Sequence, residues 1–232
     1  MKQAPSESTR LVLPKVGTIK IGYKDERGFP RSVDYFIPTG KYASLFKKAY
    51  GDKPQTIQVV FPHDDPAKVC NERYEYRDNE GRLLASGDGQ IFHVWNGKEY
   101  QEISIEQSPN LMQSVAKRYP NKYCQTGDGW QIILTLNFIV PCVRGIAGVW
   151  QFSTKGTAST IPNVRDVFDA MLEMKGYVKG IIFDLSVQYA KSQKPGDKSR
   201  YPVVSLVPNE SEENIRTIKQ AYEPIKVLEN KQ

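Results

Sequence analysis

The amino-acid sequence predicts an α+β protein with mostly antiparallel sheets and about four helices in a single elaborated domain. Short segments in which apolar and polar residues alternate recur along the chain, as is typical of half-buried strands. Turns containing Gly, Asn and Asp join several of them, which favours antiparallel neighbours. A few amphipathic stretches with helical spacing lie between the strands. Because these elements follow one another in mixed order and no segment repeats, the pattern indicates an α+β architecture.

The composition is that of an ordinary globular chain. It has 232 residues, 39% of them hydrophobic and 25% charged, which is enough apolar material for a sizeable core. The three cysteines are odd in number and too few for a disulfide framework. The first ten residues lack the apolar segment of a signal peptide, and the most apolar stretch, 130–143, is shorter than the ~20 residues of a membrane span. We therefore expect a soluble cytoplasmic protein without a membrane partner.

The first half of the chain predicts strands interrupted by one helix. Residues 1–10 are polar and are predicted to form a disordered tail. A helix is predicted at 41–50, where Tyr42, Leu45 and Phe46 follow helical spacing. Tight turns at 78–81 and at the Asn96 and Gly97 pair indicate an antiparallel meander. The predicted strands are 11–23, 56–61, 70–78, 81–89, 91–95 and 96–105.

The second half predicts three helices and four strands. The strongest helix prediction is 162–176, with Asn163 as its N-terminal cap and Gly176 at its end. The strand at 130–140 is expected to pair with 149–154. The remaining elements are helices at 108–120 and 211–227 and strands at 176–190 and 201–208. In this interpretation the α+β domain spans 11–208, and 209–232 form a C-terminal helix and tail.

Catalytic motifs are missing from the sequence. Only two histidines, His63 and His93, are present, and neither they nor the cysteines have the spacing of a zinc site. Neither a phosphate-binding P-loop nor a dinucleotide-binding glycine motif is found. Asp166 and Asp169 fall on the polar face of the 162–176 helix. We expect no catalytic residues, no metal, no cofactor and no small-molecule substrate, and a metal-dependent nuclease or hydrolase is the less favoured alternative.

Basic residues suggest a nucleic-acid partner instead. The formal net charge is +6, and a loop at 191–200 concentrates positive charge between two apolar strands. Such a loop is suited to binding phosphates, although charges at the end of a sheet also suppress aggregation, and the sequence leaves both interpretations open. The candidate nucleic-acid-binding residues of this loop are Lys191, Lys194, Lys198 and Arg200.

Two further segments add candidate basic residues. Lys47 and Lys48 lie on the 41–50 helix, whose aromatic residues fall on its apolar face and are expected to anchor it to the core. Lys155 precedes the 162–176 helix. Backbone N–H groups ahead of a helix bind phosphate, but an ordinary capping loop is the favoured interpretation of that segment.

Several segments together resemble a known family. They are 17–24 (GTIKIGYK), 28–36 (GFPRSVDYF), 57–69 (IQVVFPHDDPAKV), 83–90 (LLASGDGQ), 148–160 (GVWQFSTKGTAST) and 178–187 (VKGIIFDLSV). Their ordered succession, over roughly 11–210, resembles the phage recombination directionality factor-like family, related to accessory factors of large serine integrases.

The resemblance implies a non-enzymatic accessory protein in a bacterial host cell. Such a factor binds a large serine integrase, with DNA as a partner within the integrase complex, and switches it from integration to excision of a phage or mobile element. The reactive serine belongs to the integrase. The alternative is a single-stranded nucleic-acid-binding accessory protein of phage replication or recombination, using the same basic loop and Tyr42 or Tyr189 as stacking surfaces. The sequence does not locate the integrase-docking surface.

Overall fold

The structure is a computed structural model that describes residues 13–125, 128–192, 196 and 198–209. The predicted tail at 1–10, the predicted C-terminal helix at 211–227 and the candidate residue Lys194 lie outside the described residues. The domain limits predicted from the sequence therefore stay predictions.

The described chain contains eleven strands and four α-helices. The strands and helices are, in chain order, β1 Lys15–Lys24, β2 Pro30–Thr39, α1 Ala43–Tyr50, β3 Thr56–Val60, α2 Pro66–Val69, β4 Cys70–Arg77, β5 Leu83–Gly87, β6 Ile91–Trp95, β7 Tyr100–Ser104, α3 Leu111–Arg118, β8 Trp130–Phe138, β9 Val149–Thr154, α4 Thr160–Lys175, β10 Ile182–Lys191 and β11 Arg200–Pro208. A short 3₁₀ turn at Lys122–Gln125 precedes β8. The predicted α+β class with mostly antiparallel sheets is confirmed. Over the described residues, every helix is too short or too polar to cross a bilayer.

The chain divides into two compact units. The discontinuous unit comprises Met1–Cys70 and Thr135–Gln232, and the continuous unit comprises Asn71–Leu134. In the discontinuous unit β2, β1, β9 and β8 are consecutive neighbours within one sheet, and a separate three-stranded sheet has the order β11-β10-β3. The β1–β9 pair is parallel, whereas β10 pairs with β11 and with β3 in antiparallel register. The neighbouring position of β8 and β9 confirms the pairing predicted for 130–140 with 149–154.

Aromatic side chains fill the core of the discontinuous unit. Phe46 of α1 is fully buried and packs on Trp150 of β9, with ring centroids 5.3 Å apart. Phe61, which follows β3, contacts Phe168 of α4 at 5.1 Å and Phe183 of β10 at 5.4 Å. Burying such rings contributes several kcal/mol of hydrophobic stabilisation. This packing ties α1 and α4 to the strands that position the candidate residues.

The continuous unit is the predicted antiparallel meander, with the strand order β4-β5-β6-β7. Its turns form where the sequence predicts them, because Gly81 and Gly97 have φ values of 85° and 111° that other residues rarely adopt. Helix α3 packs Leu111 and Val115 into a core cluster with Tyr76, Phe92 and other strand residues. The Trp130 indole donates a hydrogen bond of 3.1 Å to the Met112 carbonyl of α3.

Three local features differ from the sequence prediction. Helix α4 begins at Thr160 after Ser159, so Asn163 is not its cap, although Gly176 ends it in the left-handed conformation as predicted. Strand β2 was not predicted. Helix α2 was not predicted either, and it starts at Pro66 with the Asp65 carboxylate accepting the backbone N–H of Ala67.

Candidate nucleic-acid interface

The predicted basic loop lies at the end of the β10–β11 hairpin. Lys191 and Arg200 are register partners, so their side chains lie on the same face of the hairpin, and both are exposed. Tyr189 is two residues before Lys191 and shares that face, whereas Tyr201, opposite Ala190, lies on the other face. Lys198 is exposed between the strands. The hairpin thus presents cations and tyrosines close together.

A second hairpin lies beside this one. Strands β10 and β11 both pack against β2, and the Tyr189 hydroxyl donates a hydrogen bond of 2.8 Å to the backbone carbonyl of Ser32 in β2. The two residues are 157 positions apart in sequence. The contact brings the basic end of β10 next to the β1–β2 hairpin.

The turn of the β1–β2 hairpin is organised by one carboxylate. Asp25 accepts backbone N–H groups from Arg27 at 3.1 Å and Phe29 at 2.8 Å, and the Arg31 side chain donates to it at 2.9 Å. Phe29 and Tyr23 are 60% and 50% exposed, which is unusual for large apolar rings. The turn therefore holds exposed aromatic rings among cations.

We call the two hairpin ends together the hairpin surface. Its members share exposure, and each is an aromatic ring or a cation. They are Tyr23, Lys24, Arg27, Phe29, Arg31, Tyr189, Lys191, Lys198, Arg200 and Tyr201.

Six of the ten residues of this surface were not predicted from the sequence. They are Tyr23, Lys24, Arg27, Phe29 and Arg31 on the β1–β2 hairpin and Tyr201 on β11, whereas Lys191, Lys198, Arg200 and Tyr189 were predicted. The available signal was the interleaving of aromatic and basic residues over 23–31, a pattern that is typical of single-strand-binding surfaces.

Lys47 and Lys48 lie on a different segment from the hairpin surface. Both are exposed on α1, and the Lys47 ammonium is 3.3 Å from the Asp52 carboxylate. An exposed ion pair of this kind has little effect on stability, and it partly neutralises the lysine. The Phe46 ring of the same helix is buried, as predicted for a core anchor.

Lys155 lies in the loop between β9 and α4. Its side chain is exposed. The residues that follow it form the first turn of α4: the Ile161 N–H donates to the Gly156 carbonyl, and the Asn163 N–H donates to the Ser159 carbonyl. The Thr160 hydroxyl accepts the backbone N–H of Val204. These contacts support the capping interpretation of the loop over that of a phosphate cradle.

Charge is distributed unevenly between the two units. Over its described residues the discontinuous unit carries 18 Lys and Arg against 10 Asp and Glu. Residues 71–134 carry seven Lys and Arg against nine Asp and Glu. Every described candidate basic residue belongs to the discontinuous unit. The excess of positive charge over the described residues therefore lies in that unit.

Two tyrosine hydroxyls, those of Tyr50 and Tyr76, have raised pKa values because of their packing. Burial raises the pKa of the Tyr50 hydroxyl, and a contact with Cys142 adds to the effect. Burial likewise raises the pKa of the Tyr76 hydroxyl, which donates to the Tyr119 carbonyl at 2.8 Å. Within the described residues no group of three or more His, Cys, Asp or Glu side chains is placed to hold a metal ion.

Comparison with known proteins identifies one family. The family model described as Gp3-like, recombination directionality factor-like, matches residues 16–209. No curated protein and no solved structure matches the chain. The match covers β1 to β11, and so it includes both units and both hairpins of the hairpin surface. The chain therefore belongs to the recombination directionality factor-like family.

Proposed function

We propose that this protein is a recombination directionality factor that binds a large serine integrase and switches it from integration to excision. The observation that carries the proposal is the family match over 16–209. The factor itself is not an enzyme in this proposal, because strand cleavage and rejoining belong to the integrase. Its own contribution is binding energy.

The switch is a population shift between two integrase arrangements. A ligand moves such an equilibrium only by the difference between its affinities for the two states. Reversing a 1:99 preference to 99:1 requires about 5.5 kcal/mol of differential binding. The factor must therefore contact integrase surfaces that are exposed or correctly aligned only in the excision-competent complex.

DNA is the second partner in this proposal, contacted through the hairpin surface. Lys191, Lys198 and Arg200 on one hairpin and Lys24 and Arg27 on the other supply cations for backbone phosphates. Phosphate contacts carry little sequence information, so they would stabilise the integrase complex without selecting the attachment site. The site specificity then remains with the integrase.

An in vitro recombination assay tests the function. The integrase encoded nearest to this gene is supplied with attL and attR substrates, or with attP and attB, in the presence and absence of the protein. Excision of attL × attR that depends on the protein, with reduced attP × attB recombination, is the expected result. An active integrase whose two reactions are both unchanged by the folded protein would refute the proposal.

The exposed rings of the hairpin surface favour a second candidate function, single-stranded nucleic-acid binding. Tyr23, Phe29, Tyr189 and Tyr201 are 50%, 60%, 40% and 37% exposed and lie among cations. Stacking of bases on such rings contributes about 1–3 kcal/mol per base. Titration of a labelled oligothymidine and of a duplex of equal length, at several salt concentrations, separates the two candidates. Tight single-strand binding with no effect on recombination would favour this second function.

A further inference from the structure

The continuous unit contains an open groove that the DNA-binding proposal does not use. Its volume is about 800 Å³, and it lies where the β4–β5 turn, the ends of β6 and β7 and the end of α3 meet. We call it the aromatic groove. The residues that matter to its chemistry are Asp78, Arg82, Trp95, Tyr100, Arg118 and Tyr119.

Three aromatic rings line the groove, and two of them, Trp95 and Tyr100, are held in place. The Trp95 and Tyr100 rings pack with their centroids 5.3 Å apart. The Tyr100 hydroxyl donates a hydrogen bond of 2.6 Å to the Leu83 carbonyl, yet the residue is 46% exposed. Fixed, partly exposed rings of this kind lose little side-chain entropy when a partner covers them.

The two arginines of the groove are in different electrostatic states. Arg82 forms ion pairs with Asp78 at 2.6 Å and Glu80 at 3.1 Å, so its charge is compensated. The Arg118 guanidinium lies 5.1 Å from the Tyr119 ring centroid and donates to the Asn96 carbonyl at 3.3 Å. Within the described part of the chain, no carboxylate pairs with Arg118. Its charge is available to a ligand.

The groove also offers a second donor. The indole N–H of Trp95 has no acceptor among the described residues, and the residue is only half-buried. A guanidinium and an indole N–H both seek acceptor oxygens, and Arg recognises carboxylates in bidentate geometry. Trp, Tyr and Arg are also the residue types that dominate binding energy in protein interfaces.

We propose that the aromatic groove docks an acidic, apolar segment of a partner protein, with a Glu or Asp carboxylate on Arg118 and apolar side chains against Trp95 and Tyr100. The groove suits one carboxylate rather than a nucleic acid, because Arg118 is its one lining cation without a carboxylate partner among the described residues, and the net negative continuous unit does not attract a polyanion. If the proposed function holds, the segment belongs to the integrase.

A peptide titration tests the chemistry of the groove without the integrase. The probe is an acetylated and amidated nine-residue peptide with one central Glu among Leu and Ser residues, and its control replaces that Glu by Lys. In ¹⁵N-labelled full-length protein the indole signal of Trp95, assigned with Trp95→Phe, is expected to shift on addition of the acidic peptide alone. Equal shifts with both peptides, or none with the acidic one, would overturn the proposal.

Charge reversal on α3 tests the same groove against the integrase. Arg118→Glu places a carboxylate against the incoming carboxylate and is expected to weaken the binding of either the acidic peptide or the integrase at least about tenfold. Lys117→Glu, an equal change at the exposed neighbouring position, lies outside the groove lining and should leave both unchanged. Matching circular dichroism spectra and unfolding temperatures for the two variants exclude misfolding.

These experiments test the groove as a docking site and the integrase as its partner independently of each other. Integrase binding that is equally strong in wild type, Arg118→Glu and Lys117→Glu would refute the groove as the docking site while leaving the directionality role intact. Binding of the acidic peptide that depends on Arg118, without any binding to the integrase, would support the groove and refute the integrase as partner.

Discussion

The Tyr189 hydroxyl donates a 2.8 Å hydrogen bond to the Ser32 carbonyl and so connects two hairpins from opposite ends of the chain. The bond is part of the packing of β10 and β11 against β2, which places the basic end of β10 beside the β1–β2 hairpin. Cations that are far apart in sequence thereby lie on two neighbouring hairpins. The bond is also a convenient point at which to test the surface.

Tyr189→Phe should remove the bond and keep the ring. Because the Ser32 carbonyl is near solvent and water replaces the donor, the expected loss is at most about 1 kcal/mol of unfolding free energy in urea denaturation. Tyr201→Phe is the matched control, since the Tyr201 hydroxyl has no acceptor among the described residues. If Tyr189→Phe lost several times this unfolding free energy, the hydroxyl would stabilise the contact between the hairpins by more than this one hydrogen bond.

Charge reversal where β10 ends and β11 begins should weaken nucleic-acid binding. Lys191→Glu with Arg200→Glu removes two exposed, adjacent cations, so the slope of log K against log salt for a duplex should fall by about 2. The measurement is fluorescence anisotropy at several salt concentrations. Lys179 is exposed and precedes Ile182, the first residue of β10, so it lies at the opposite end of the strand from Lys191. Lys179→Glu should therefore change the slope little. Identical slopes for the double variant and the wild type would remove this hairpin from the interface.

Gly129→Ala should destabilise the continuous unit strongly. The residue has φ = 79°, and an added Cβ would lie 2.7 Å from the Cys124 sulfur and 2.8 Å from the Tyr76 ring. Backbone strain and overpacking together should lower the unfolding free energy by about 3 kcal/mol in urea denaturation. At Gly97 the backbone is also left-handed, but the space is open, so Gly97→Ala should cost only about 1 kcal/mol. Equal losses at both positions would show that packing at Gly129 is looser than this geometry requires.

Asp88 should make stability depend on acid pH. Backbone N–H groups of Ile91 and Gln90 donate to its carboxylate and lower its pKa below the ordinary value. A lowered pKa in the folded state contributes stability above the unfolded pKa of about 4, and the contribution disappears as the pH falls through the folded pKa. The wild type should therefore lose stability more steeply than Asp88→Asn as the pH falls below about 4 in thermal unfolding.

The Asn variant at this position keeps the turn. In the β6–β7 turn, Asn96 already accepts two backbone N–H groups, from Lys98 and Glu99, at 2.8 and 3.0 Å. An amide oxygen is thus a sufficient acceptor in the same role, and Asp88→Asn isolates the charge. Parallel pH profiles for wild type and variant would show that the Asp88 charge does not contribute to the acid dependence.

Local chemistry explains which parts of the fold were predictable. The turn at Asn96 and Gly97 and the helix end at Gly176 depend on residues whose backbone preferences act within a few positions. Strand β2 was not predicted, and its Pro30 and Pro38 are residues that seldom occur inside a sheet. It tolerates them because it lies at the edge of its sheet, where a missing N–H is harmless. Helix α2 has only four residues, too few to show a helical period.

The candidate surface was predictable only in part for a different reason. Lys191, Lys198 and Arg200 are close in sequence, so their clustering was visible in advance. Arg27 and Phe29 lie on the other hairpin, which meets β10 through long-range contacts such as that between Tyr189 and Ser32, and the parallel pairing of β1 with β9 is equally long-range. Such contacts follow from tertiary packing and leave no local pattern. The aromatic groove likewise joins residues from four separate segments.

The division of the chain into a continuous and a discontinuous unit has a consequence for synthesis on the ribosome. Asn71–Leu134 is an uninterrupted segment, so its meander can form its contacts as soon as that segment has emerged. The other unit needs β8 to β11, and adding residues 135–208 takes about 4 to 15 s at ~5–20 residues per second. During that interval the first seventy residues have left the ribosome without their sheet partners β9 and β10, and the apolar edge of β1 and β3 is open to association with other nascent chains.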